Sequence, residues 1–254
     1  MSSPIVTTLR SAGCVFAEDE ARLLLTTAAT PSALAAMLAR RVAGEPLEHV
    51  LGWAEFHGLR IAVDPGVFVP RRRTEFLARQ AAALASPGAV VVDLCCGSGA
   101  VGAAVSATVR GVELYSVDID PVAVACARRN VRGAVFVGDL YDPLPDSLCG
   151  RVDILVANAP YVPTDAIVLM PPEARIHEPL HALDGGADGL EIQRRVSAAA
   201  AGWLASGGHL LIETSERQAP RTAEAFERDG LFPLVVECEE LGATVVVGTK
   251  SGIA

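Results

Sequence analysis

Two short stretches of this 254-residue chain carry side chains whose types and spacing could do chemistry. The first is Asn158-Ala159-Pro160-Tyr161. Asn158 offers a side-chain carbonyl. Pro160 restricts Ala159 to extended backbone angles, which aims the Ala159 carbonyl. Two neighbouring acceptors can hold the two N–H groups of a planar amide and draw its nitrogen towards a pyramidal geometry. An amide nitrogen needs that help, because its lone pair is delocalised into the carbonyl. Tyr161 can pack against the amide plane. No strong base is required, since the proton can leave once the nitrogen is cationic, so positioning and electrostatics supply the acceleration. The plain alternative is an ordinary Asn-x-Pro turn leaving a strand.

The second stretch is Asp93-Leu-Cys95-Cys96-Gly97-Ser98-Gly99-Ala-Val-Gly102. Its Gly97-x-Gly99-x-x-Gly102 core fits a strand-to-helix turn that brings backbone close to a ligand. Asp118 follows about 20 residues later, where such folds place a ribose-binding carboxylate. The glycines alone leave a dinucleotide and S-adenosylmethionine open, as well as a tight turn with no ligand. Asp93 separates the two ligands. A carboxylate at the strand tip repels a pyrophosphate but favours the ammonium and sulfonium of S-adenosylmethionine. Asp118 can accept both ribose hydroxyls. Asp120-Pro121 reads as a helix N-cap followed by a first-turn proline. Gly138-Asp139-Leu140 falls where an adenine would lie, with Asp139 able to accept the exocyclic amine and Leu140 able to cover the ring.

Strands and helices must alternate to place these residues. Ala89–Asp93, Val112–Asp118, Ala134–Val137, Val152–Ala157 and His209–Glu213 read as strands. Gly99–Val109, Pro121–Val131 and Gly189–Leu204 read as the helices between them. That order predicts a mostly parallel sheet covered on both faces. Leu234–Cys238 and Thr244–Thr249 are joined too tightly for a parallel crossover, so the last strand should pair antiparallel. Ahead of this region, Glu18–Thr27 and Ser32–Ala43 carry helical spacing, and Trp53–Val63 reads as a hairpin around Gly58. The expected division is a helical unit over 1–45, a β-hairpin linker over 46–72 and an α/β domain over 73–254.

Composition narrows the function. Hydrophobic residues make up 51%, enough for a sizeable core, yet no run reaches the roughly 18 apolar residues of a membrane helix. The N-terminus carries no secretory pattern, so a cytoplasmic location is expected. A net charge of −9 disfavours nucleic acid as a general ligand. Arg71-Arg72-Arg73 is the only run of three basic residues, fit either to face an acidic partner or to be solvated. The six cysteines and five histidines show no metal-binding spacing, so no metal is expected. Glu213 ends a strand and could approach the site, though a simple strand-end carboxylate describes it as well.

Beyond the two stretches, the ordered set of motifs resembles the protein glutamine-N5 methyltransferases of the HemK/PrmC type. Gly44–Gly52, Glu55–Gly58, Pro65–Val67, Val69–Arg71, Asp93–Gly102, Asn158–Tyr161, Glu178-Pro179, Ala182–Gly186 and Asp188–Leu190 all take part. The resemblance implies a class I S-adenosylmethionine-dependent fold, with a seven-stranded Rossmann-like sheet, a small helical N-terminal domain and a hairpin linker. It implies methylation of the glutamine in the Gly-Gly-Gln loop of peptide-chain release factors, with S-adenosyl-L-homocysteine as product. Asp93, Cys95, Cys96, Gly97, Ser98, Gly99, Asp118, Ile119, Asp139, Leu140 and Asn158 would then contact the cofactor. Asn158, Ala159, Pro160 and Tyr161 would bind the glutamine, and the N-terminal helices would help grip the protein substrate. The sequence departs from the family in three places. Ala159 replaces the first signature proline, Pro70-Arg-Arg-Arg-Thr-Glu75 replaces a Pro-Arg-Pro-x-Thr-Glu segment, and the N-terminal unit is short.

Similar tetrads serve enzymes that methylate exocyclic amines of DNA or RNA bases, but those want a basic surface and a recognition domain, which this chain lacks. Methylation of another protein or a small molecule stays open. A non-catalytic binding module would not need the tetrad, and neither would a dinucleotide oxidoreductase.

Overall fold

The computed structural model describes residues 4–252. The N-terminal helices are α1 (Pro4–Ser11), α2 (Ala17–Thr27), α3 (Pro31–Val42) and the short α4 (Leu47–Leu51). Thr30 caps α3, its hydroxyl accepting from the Ala33 amide, with Pro31 in the first turn. Leu9, Ala17, Leu24 and Val50 form a small core of their own. An ion pair lies beside it, where Arg41 donates to Glu20 at 2.7 Å between two largely buried side chains.

Strands β1 (Trp53–Phe56) and β2 (Leu59–Ala62) form an antiparallel hairpin. His57 and Gly58 are its two loop residues, and both have positive φ, which suits the twist of a tight hairpin. The hairpin is not isolated. Phe56, Ile61, Val63 and Val67 join the apolar cluster on one face of the large sheet.

The rest of the chain runs α5 (Glu75–Leu84), β3 (Val90–Leu94), α6 (Ala100–Thr108), β4 (Glu113–Asp118), α7 (Pro121–Asn130), β5 (Ala134–Val137), β6 (Val152–Ala157), α8 (Pro172–His177), α9 (Glu191–Trp203), β7 (Leu204–Thr214), α10 (Ala219–Arg228), β8 (Leu231–Cys238) and β9 (Ala243–Lys250). One seven-stranded sheet has the order β5-β4-β3-β6-β7-β9-β8. The first five strands are parallel, and β9 runs antiparallel to both β7 and β8. The tight Glu239–Gly242 connection forces that reversal, as expected from its length. Every residue of β3 is buried, because helices cover both faces of the sheet.

The order of connection reverses at β3, whose chain leaves to β4 on one side while β6 lies on the other. A crevice outside the carboxyl ends of β3 and β6 is the geometric result. Five helices carry no expectation from periodicity: α1, α4, α5, α8 and α10. The strand ending at Glu213 also begins earlier than expected, at Leu204, with an irregularity between Val152 and Ile154 in its partner.

Candidate active site

A cavity of about 780 Å³ opens at the carboxyl ends of β3, β4 and β6. That is ample for a nucleoside-sized ligand with an amino-acid tail. The loop after β3 forms its floor. Gly97 and Gly99 take positive φ, and so does Cys95 at 54°, a costly conformation for a residue with a side chain. Leu140 shows the same strain at 49°. Both strained residues line the cavity, so the loops are bent to serve it. A Cβ on Gly97 would meet nothing within 4 Å, so the loop backbone at this position lies open. Gly102 is different. A Cβ there would sit 3.0 Å from Leu114 and 3.1 Å from the Asp93 carboxylate, so this glycine lets α6 pack against the sheet.

Asp93 is 1% exposed, and its Oδ2 accepts the Gly102 N–H at 3.0 Å. Burial pushes its carboxyl up to about 7. The Gly102 hydrogen bond opposes that rise and the charge of Asp118 adds to it. Asp118 is also nearly buried. It accepts the Gly97 N–H at 2.7 Å and the Asp120 N–H at 3.0 Å, which ties the glycine loop to the end of β4. Burial raises the Asp118 carboxyl as well, against those two backbone donors. Cys95 and Cys96 are pushed far up by burial and stay thiols. Asp139 faces the cavity but already pairs with Arg195 of α9 at 2.7 Å. Ile119 is an exposed apolar side chain at the rim.

The donor set fits S-adenosylmethionine. Asp93 and Asp118 are among five acidic residues lining a cavity with apolar flanks at Ile119 and Leu140, and Asp93 near neutrality has much to gain from a cationic ligand. Of the residues expected on the cofactor side, Gly99 alone stays off the cavity wall. Its would-be Cβ points at Val131 and Ala127 of the α7 end, so it serves packing.

The tetrad borders the same cavity at the carboxyl end of β6, beside the start of the glycine loop. Asn158 and Pro160 line it, while Ala159 and Tyr161 sit behind the wall. The Asn158 Nδ2 donates to the Thr74 hydroxyl at 3.3 Å, leaving its Oδ1 without a donor among the described residues. Ala159 is 1% exposed, and no described residue donates to its carbonyl. A buried carbonyl without a partner is costly, so this pair of vacant acceptors is the outstanding polar feature of the site.

The tetrad is braced from behind. Gly185 donates to the Val162 carbonyl at 2.8 Å, and Val162 donates to Leu183 at 3.1 Å. A Cβ on Gly185 would lie 2.7 Å from the Pro160 carbonyl, which explains glycine there. Gln218 donates to the Tyr161 carbonyl at 2.9 Å and to Asp188 at 3.2 Å. Asp188 in turn is held at about 2 by Arg194, with help from the Leu190 amide and Arg221. The segment after the tetrad thus acts as its clamp.

Residues that spacing alone did not reveal also reach the site. Phe68, Pro70 and Thr74 line the cavity from the segment after the hairpin. Asn130, at the end of α7, donates to the Ala62 and Ser98 carbonyls at 2.8 Å and accepts the Ala62 N–H, fastening the hairpin to the glycine loop. The arginine run is divided. Arg71 pairs with the buried Glu178 at 2.6 Å, and Arg73 lies 3.4 Å from Glu213 and over the Tyr161 ring. Two of the three arginines therefore face acids of this chain. Glu213 itself is 1% exposed; the Tyr161 hydroxyl donates to its Oε1 at 3.3 Å and Arg73 lies 3.4 Å from the same oxygen, while burial raises its carboxyl. It stands behind the tetrad through its contact with Tyr161. Among the described residues no group of acidic, histidine or cysteine side chains could hold a metal, and no helix is long and apolar enough to cross a membrane.

The sheet order, the strained loop after β3 and the acidic residue ending β4 define a class I methyltransferase that works with S-adenosylmethionine. Residues 58–229 match the methyltransferase small domain family. A release factor glutamine methyltransferase of Mycolicibacterium smegmatis is 40% identical, covering 88% of this chain and 82% of that one. Another from Geobacter sulfurreducens is 37% identical, covering 87% of this chain and 80% of its own. A methyltransferase structure from Pyrococcus furiosus superposes with a TM-score of 0.58 at 17% identity, over 77% of this chain and 90% of that one. This chain belongs to the release factor glutamine methyltransferase family.

Proposed function

We propose that this protein transfers a methyl group from S-adenosylmethionine to the side-chain nitrogen of a glutamine in a peptide-chain release factor. The observation that carries the reading is the pair of vacant acceptors, Asn158 Oδ1 and the buried Ala159 carbonyl, beside the cavity. A primary carboxamide has two N–H donors, one for each acceptor. The names of the relatives at 37–40% identity support the same substrate.

In this reading Asp118 receives the ribose hydroxyls, Ile119 and Leu140 flank the adenine, and Asp93 faces the cationic methionine end. When bound, the cofactor supplies an electrophilic methyl on a sulfonium. Asn158 and Ala159 hold the two amide hydrogens and turn the nitrogen lone pair towards the methyl. With the cofactor held there, the amide nitrogen would take the methyl group, S-adenosylhomocysteine would leave as the neutral thioether, and one N–H proton would pass to solvent. Tyr161, whose phenol is pushed up to about 12 chiefly by burial, stays protonated behind the wall and does not serve as a base.

The helical unit over 1–45, the hairpin linker over 46–72 and the catalytic part over 73–254 belong to the same proposal. The separate core of the N-terminal helices supports it, and those helices are assigned to holding the protein substrate. A cytoplasmic location goes with such a partner.

The test is methyl transfer from labelled S-adenosylmethionine to purified release factor, with a Gln→Ala change in its Gly-Gly-Gln loop as control. Label on the unaltered factor only is the expected result. No label, with clear cofactor binding, would move the reaction to another amide or amine.

A further inference from the structure

Glu178 is 5% exposed, yet it belongs to neither the glycine loop nor the tetrad. It follows α8, in the segment between the tetrad and α9, and its N–H donates to the Ala174 carbonyl at 2.9 Å. A distant part of the chain engages both of its carboxylate oxygens. Oε1 accepts the Val69 N–H at 3.1 Å, and Oε2 accepts from Arg71 Nη2 at 2.6 Å. Burial raises the carboxyl, while Arg71 and the Val69 amide oppose that rise.

These partners sit in a strap that forms cavity wall. Val67 and Val69 are buried in the cluster on one face of the sheet, while Phe68 and Pro70 line the cavity. The Arg71 guanidinium lies over the Phe68 ring, 4.9 Å from its centroid. The start of the strap is fixed separately. A carbonyl only accepts, so the buried His49 donates from Nε2 to the Val67 carbonyl at 2.8 Å. On the side of Glu178 itself, Leu180, His181 and Ala182 line the same cavity. His181 Nε2 lies 3.4 Å from Asp120 Oδ2, beyond the end of β4. The segment after Glu178 therefore reaches from the strap to the rim at β4. Among the described residues, Glu178 alone joins the strap over 67–71 to this segment by hydrogen bonds.

Stability is a poor reason for such an arrangement. Taking a carboxylate out of water costs about as much as its ion pair returns, and apolar packing of similar volume is often as stabilising. The charge contributes geometry instead. Two acceptors on one rigid group hold the Val69 amide and the Arg71 guanidinium at once.

We propose that Glu178 is a positioning residue for the cofactor. By holding Val69 and Arg71 it sets Phe68 and Pro70 against the S-adenosylmethionine cavity and joins them to the wall at Leu180–Ala182. The inference rests on the cofactor and not on the identity of the methyl acceptor. Without Glu178, residues 68–70 have no hydrogen bond to another part of the chain among the described residues. Their side chains would then have to be ordered each time the cofactor binds.

Calorimetric titration of the full chain with S-adenosylhomocysteine tests this without any methyl acceptor. Glu178→Ala removes both acceptors and should weaken binding about tenfold, the cost of ordering one or two freed side chains. Glu178→Gln keeps a neutral acceptor for the Val69 amide and should lose about threefold, as should Arg71→Met. Phe68→Ala separates positioning from packing. When Glu178 acts through Phe68, the double variant Phe68→Ala/Glu178→Ala binds within about twofold of Phe68→Ala alone. A general loosening of the fold would multiply the two losses instead. With release factor as acceptor, KM for S-adenosylmethionine should rise with the calorimetric loss, while kcat at saturating cofactor stays within about threefold of wild type.

Wild-type affinity in Glu178→Ala would overturn the proposal, as would losses that multiply in the double variant. If thermal unfolding shows that Glu178→Ala does not fold, Glu178→Gln and Arg71→Met decide the matter, and wild-type affinity in both would overturn it. Failure to label release factor would remove the glutamine reading and leave these binding results in force.

Discussion

The buried Asp93 carboxyl makes cofactor affinity depend on pH in a direction that can be worked out. Burial holds it near 7 in the free protein. A cationic ligand favours the ionised form and pulls the value down in the complex, so binding below pH 7 must first expel a proton. With a free value of about 7, the ratio of the proton penalties at pH 6.0 and 7.5 is about eightfold, or roughly 1.2 kcal/mol. Affinity is therefore expected to fall about eightfold from pH 7.5 to 6.0. Titration calorimetry with S-adenosylmethionine in buffers of different ionisation enthalpy would measure both the affinity and the proton released. Asp93→Asn should bind more weakly at pH 7.5 and lose most of the pH dependence. Its amide oxygen can still accept the Gly102 N–H, so the loop should survive. The sign for folding is opposite. A carboxyl raised in the folded state keeps its proton from about pH 4 to 7 while the unfolded chain loses it, so stability falls as pH rises through that window. Asp93→Asn should accordingly raise the melting temperature of the free protein at pH 7.5. A flat affinity between pH 6.0 and 7.5, with no proton released, would refute the reasoning.

Further outcomes follow from the geometry. Asn158→Ala should abolish methyl transfer while cofactor affinity, measured by calorimetry, changes little, because the lost oxygen serves the target amide. Asp118→Ala should weaken cofactor binding about a hundredfold, since it removes a charged acceptor and frees the Gly97 and Asp120 amides it now holds. Thermal unfolding should show a smaller change. Gly102→Ala should cost about 1–3 kcal/mol in denaturant unfolding, because its Cβ would press on Leu114 and Asp93 at 3.0–3.1 Å. Asn130→Ala removes the three hydrogen bonds that fasten Ala62 and Ser98, and should cost about 2–3 kcal/mol. A loss below about 0.5 kcal/mol would show that water replaces them.

The sequence by itself carried the parts whose meaning is local. Alternating apolar runs, the Asp120-Pro121 cap and the glycine loop are decided by backbone sterics and side-chain periodicity, which act within a few residues. The parallel sheet and the antiparallel last strand could therefore be read from spacing, and the ordered motifs identified the family. Helices α5 and α10 gave weaker signals, the first following a run of arginines and the second carrying Pro220 in its first turn. Tertiary structure alone decided who stands behind the tetrad. Thr74 and Asn158 are 84 residues apart, and Tyr161 and Glu213 are 52 apart. No periodicity links such positions, because their meeting depends on β6 and β7 pairing in register. The same holds for Arg71 and Glu178, and for Asn130 and the hairpin. A strand-end carboxylate has no fixed meaning until the fold removes it from water. At 1% exposure Glu213 has its carboxyl raised by burial and held between Tyr161 and Arg73, and burial is a property of the assembled chain.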